Sequence, residues 1–90
     1  MCTYQTETLD LRASGKTPEG WTSMRTATVY FDHPVHFAAG HALMVDVRNP
    51  EAGAAARVAL EMDAASARDL AQAILRVLSQ VPEDLLSEAS

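Results

Sequence analysis

The sequence predicts an α+β domain: a four-stranded antiparallel meander sheet with one C-terminal amphipathic helix packed on one face, in the order β-β-β-β-α. Three observations lead there. Apolar residues alternate along four runs upstream of Asp63. Each run closes at a short stretch rich in glycine, proline, serine or asparagine. Beyond Asp63 the apolar period lengthens to helical spacing. Short polar connections make consecutive strands antiparallel neighbours, because a parallel pair needs a long crossover.

The first strand is expected at about 3–12, with Leu9 and Leu11 on one face and Tyr4, Thr6, Thr8 and Asp10 on the other. Ala13 to Gly20, ASGKTPEG, reads as a turn or short loop. The second strand follows at 21–32. Its Ala27, Val29 and Phe31 face one way, and Thr26, Thr28, Tyr30 and Asp32 the other. The third spans 42–48, with Leu43, Val45 and Val47 as its apolar face. Asn49, Pro50 and Gly53 mark a turn, and the fourth strand covers 57–62 with Val58, Leu60 and Met62 inward. The helix is expected at about 64–81, N-capped by Asp63 and ended before Pro82. Ala67, Leu70, Ala71, Ile74, Val77, Leu78 and Val81 form its apolar stripe. Residues 83–90 read as a frayed tail in which Leu85 and Leu86 can dock.

Ninety residues fit a single domain, and a hydrophobic share of 48% places the chain among globular proteins. The net charge is -5, and its 7 basic residues stand singly along the chain. Binding to nucleic acid or to an anionic membrane surface needs clustered cations, so both are set aside. A single cysteine, Cys2, cannot form an internal disulfide, and the opening residues lack the apolar core of a signal peptide. No apolar run approaches membrane-spanning length. The expected setting is cytoplasmic.

One helix covers one face of four strands, so the second face poses a question. It carries Tyr30, Met44, Thr28, Asp32, Asp46 and Arg48, with Cys2 and Tyr4 alongside. An antiparallel sheet can leave such a face in water. Tyr30, Met44 and Tyr4 are larger and less polar than solvation requires, and a homodimer through this face is expected.

All three histidines, His33, His36 and His41, fall inside YFDHPVHFAAGH, the segment 30–41. Three neutral imidazoles that converge can bind Zn, Fe, Ni or Cu and leave a position open for water or substrate. Pro34 and Gly40 supply the bends that would bring them together. Asp32 and Cys2 are candidates for a further ligand or an orienting group. The leading expectation is therefore a small metal-binding protein, or a metal-dependent enzyme acting on a small organic substrate. Two alternatives stand beside it. One is a metal-free homodimeric small-molecule-binding or accessory module. The other is a metal-free acid/base enzyme, in which Asp32 or Asp46 orients the His33 ring and the Tyr30 phenol donates to substrate. Trp21 is expected to cap the core near the first hairpin.

The stretches MCTYQTETLDL, GW and YFDHPVHFAAGHALMVDVRNP resemble a family of short, functionally uncharacterised bacterial proteins. That family shares an opening like Met1-Cys2-Thr3-Tyr4 and a loop like Asp32-His33-Pro34-Val35-His36. The resemblance implies that opening and loop belong to one self-contained unit. It carries no activity with it, and no catalytic role is transferred.

Overall fold

The computed structural model describes residues 5–87 as a four-stranded antiparallel sheet in the order β1-β2-β3-β4, followed by helices. The strands are β1 (Thr6–Thr17), β2 (Gly20–Asp32), β3 (Ala42–Arg48) and β4 (Arg57–Met62). A single 3-10 turn at Pro50–Ala52 joins β3 to β4, and α1 (Ala64–Ser79) and α2 (Glu83–Leu86) complete the chain. The meander and its C-terminal helix agree with the fold class read from the sequence. The strand residues expected at 3 and 4, with Cys2, lie outside the described residues.

Three boundaries differ. The stretch from Ala13 to Thr17 is not a loop; it continues β1, paired from Ala13↔Met24 to Thr17↔Gly20. A bulge between Asp10 and Ala13 shifts the register and lets the strand continue. Only Pro18 and Glu19 remain as the turn. Proline presets φ at the first corner, and Gly20 closes the turn at φ 115°, a region side-chain-bearing residues avoid. The Thr17 hydroxyl donates to the Gly20 carbonyl at 3.0 Å and accepts from the Glu19 N–H at 3.2 Å. At the other end, residues 83–86 are a short helix rather than a frayed tail, and α1 ends at Ser79, two residues short of the expected limit.

The register sorts the side chains into two faces. Leu9↔Ala27↔Val47↔Val58 and Val29↔Val45↔Leu60 run across the apolar face. Thr8↔Thr28↔Asp46↔Ala59 and Tyr30↔Met44↔Glu61 run across the polar one. The edge strands β1 and β4 approach each other. Near that approach, a Cβ on Gly15 would stand 3.0 Å from Met24 Cε and 3.3 Å from Val58 Cγ2. Met24 is the one large side chain fully buried among the described residues, and Ala27, Ala42, Met44 and Ala56 complete a thin core. Trp21, expected to cap it, is 71% exposed.

Asp63 N-caps α1 as the sequence predicts, its carboxylate accepting from the Ser66 N–H at 2.7 Å. It is also the only residue between β4 and α1, a connection too short to swing the helix fully back across the sheet. The helix meets the sheet at β3. Its stripe stays open to solvent, with Leu70 45%, Ile74 53% and Leu78 46% exposed. No helix among the described residues is long and apolar enough to cross a membrane.

A candidate ligand groove beside the histidine loop

The segment 33–41 leaves the end of β2 and re-enters at the start of β3. Its ends are fixed by the Asp32↔Ala42 rung. Its middle is fixed by a residue far along the chain. The Glu61 carboxylate of β4 accepts three consecutive backbone N–H groups: Val35 at 2.7 Å on Oε2, then His36 at 2.8 Å and Phe37 at 2.7 Å on Oε1. Those short charge-assisted bonds satisfy donors that the irregular loop cannot pair internally. They also favour the ionised carboxylate, so the Glu61 pKa falls below its ordinary value. To reach β4 the loop passes the intervening strand, where Ala42 and Met44 are buried.

The latch divides the histidines. His33 and His41, at the two ends of the loop, meet with ring centroids 4.5 Å apart and planes tilted by 31°. His41 also stacks on Phe31, at 5.7 Å and 11°. The His33 Nδ1 lies 2.6 Å from the Gly40 carbonyl, a bond that needs the proton on Nδ1. His36 instead sits at the latched middle, where its imidazole is close enough to Glu61 to favour the carboxylate. The structure thus joins two of the three predicted ligands and separates the third. Among the described residues, no group of three or more His, Cys, Asp and Glu is placed to hold a metal ion.

The acid/base candidates take other roles. The Asp32 carboxylate accepts the backbone N–H of His33 at 2.7 Å. Asp46 accepts from Arg57 Nε at 2.8 Å, an ion pair that raises the arginine pKa and consumes the carboxylate. Asp46 pairs with Thr28, four residues back from Asp32, so the two acids stand roughly 13 Å apart along the sheet. They share a face, as the sequence suggests, but not a site. Tyr30 lies on that face too, directly opposite Met44 and near enough to Arg57 to influence it. Arg48 donates to the Thr28 hydroxyl at 3.0 Å. The polar face is largely occupied with its own pairs.

Beside the latch the surface is concave. A groove of about 580 Å³ is lined by Val35, His36 and Phe37 of the loop and by Arg57, Ala59, Leu60 and Glu61 of β4. Its walls are apolar at Val35, Phe37 and Leu60, and His36 and Arg57 can bear positive charge. The Glu61 charge that would oppose an anion there is held by three N–H groups. Arg57 and Glu61 alternate with the inward Val58, Leu60 and Met62, so the strand pattern marks them only as outward-facing residues. The one signal was an acidic residue on the second strand after a loop whose backbone donors need acceptors.

Residues 1–87 match the model of a family of unknown function, DUF6295. Neither the curated proteins nor the solved structures contain a match to the chain.

Proposed function

We propose, from the premise that this chain belongs to the DUF6295 family of unknown function, that it is a metal-free homodimeric module binding a small organic anion. The ligand's apolar body lies along Val35, Phe37 and Leu60, and its charged group faces His36 and Arg57. The observation that carries the reading is the triple N–H latch on Glu61, which builds one wall of the groove from the loop and turns three backbone dipoles onto the carboxylate, partly offsetting its charge. Concave apolar surface with a few convergent polar groups is the usual make-up of a small-ligand site. The reading keeps the cytoplasmic setting expected from the sequence.

Benzoate and hexanoate serve as probes, because each joins a carboxylate to an apolar body. Titration followed by amide chemical shifts is expected to move residues 35–37 and 57–61 together. A His36→Ala, Arg57→Ala double variant is expected to lose at least about tenfold in affinity, the scale of losing charged hydrogen-bond partners. Absence of shifts, or shifts only outside the groove, would overturn the proposal.

One observation favours the metal reading as a second. A metal-ligating histidine commonly donates its other ring N–H to a backbone carbonyl. His33 has that arrangement with Gly40, and its ring adjoins His41. On this reading His33 and His41 bind Zn, Ni, Cu or Fe, with Cys2 a candidate for a further ligand. Calorimetric titration of chelator-treated, untagged protein should then give near-stoichiometric Zn uptake that disappears in a His33→Ala, His41→Ala variant. Zn uptake unchanged by that variant, or none at all, excludes it.

A further inference from the structure

We infer that α1 and the apolar face of the sheet form the interface with a second copy of this chain. The inference rests on the homodimer in the reading above but not on any ligand in the groove. The sequence suggested that two copies would meet through Tyr30 and Met44. Met44 is only 6% exposed within one chain, so little of it is left to offer a partner. The uncovered apolar surface is elsewhere: Leu70, Ile74 and Leu78 on α1, and Leu9 on the sheet.

The amount of surface argues for a stable self-assembly. A folded 9.7 kDa chain is expected to expose about 5,100 Å², whereas this one exposes 6766 Å². The excess is about 1,600 Å² per chain, within the range one partner loses in an obligate dimer. The radius of gyration agrees: 14.8 Å, against about 12 Å for a compact chain of this length.

The chemistry of the surface argues for a second copy as the occupant. One chain carries both halves of a core, a helical stripe and a sheet face, that a one-residue connection keeps from closing on each other. A two-fold axis lets each chain supply the cover the other lacks. Charge permits the approach. The chain carries -5 overall, yet α1 has Arg68 and Arg76 against Asp69 alone. The helix of one copy thus brings positive charge to an acidic partner.

Light scattering across a dilution series is expected to give twice the 9.7 kDa chain mass. The Ile74→Glu, Leu78→Glu double variant should fall to the single-chain mass with its helical circular dichroism retained. Gln72→Ala, on the opposite helix face, and Tyr30→Ala should both stay dimeric. A monomeric parent protein overturns the inference, and so does a dimer that survives the double variant or dissociates with Tyr30→Ala. Should the double variant fail to fold, a soluble gadolinium chelate applied to the parent protein decides. Methyl signals of Ile74 and Leu78 shielded from relaxation support the interface; broadened ones overturn it. The probe-anion titration reports on residues 35–37 and 57–61, so it can succeed or fail independently of the measured mass.

Discussion

Met24→Ala is expected to cost about 2–5 kcal/mol, the range for truncating a buried methionine or leucine. Met24 is 2% exposed and is the only large side chain fully buried among the described residues. Small domains are stable by only about 5–15 kcal/mol, so one side chain carries an unusual share here. The site has little room to collapse around the loss. Gly15 faces the Met24 side chain at contact distance, and Val58 approaches the same glycine. Urea unfolding at fixed protein concentration measures the effect as a lowered midpoint with the slope unchanged. A cost below about 1 kcal/mol would mean that Met24 is buried without supporting the curl of the hairpin onto β4.

Glu61→Ala is expected to free the middle of the histidine loop without unfolding the sheet. Three backbone donors lose their acceptor together, and the irregular loop offers no replacement. Amide exchange at Val35, His36 and Phe37 should accelerate by roughly tenfold or more, as expected for charge-assisted bonds. Far-UV circular dichroism should stay as it was. Glu61→Gln should be intermediate and uneven. Its amide oxygen can replace the oxygen that takes His36 and Phe37, but its NH₂ would confront the Val35 N–H donor to donor.

Acid should reproduce the release. The folded pKa of Glu61 is depressed, first by the Val35 bond and then by those of His36 and Phe37. The latch is therefore complete above the ordinary glutamate pKa of about 4.3 and is lost as the pH falls through the lower folded value. Amide shifts of residues 35–37 should report one transition, centred below that ordinary value. A midpoint at or above it, or three unrelated transitions, would remove the latch.

Much of the sheet was legible because its pattern is local. β3 and β4 match the expected 42–48 and 57–62, since alternation and flanking turn residues bound them closely. Ala13 to Thr17 was not legible. Its residues have turn-like composition, and the strand exists because Gly20 to Met24 lies opposite to pair with it. The helix was readable as amphipathic, with its cap at Asp63. Periodicity, however, marks an apolar stripe without saying which surface will cover it. The histidine loop shows the sharpest division. Its position followed from three nearby histidines, but the separation of His36 from His33 and His41 depends on an acceptor 24 to 26 residues away. No spacing rule inside the loop encodes that contact.

The strand order has a consequence for how this chain folds. In β1-β2-β3-β4 every ladder joins segments adjacent in sequence, and the first hairpin needs only Pro18 and Glu19 to turn. Each closure fixes a short loop, so little chain entropy must be surrendered before hydrogen bonds repay it. The sheet can therefore zip from its hairpins without waiting for α1. Meeting a second chain is a slower, bimolecular event. The proposed dimer would then join sheets that already exist, which would limit the time that unpaired strand edges spend exposed to aggregation.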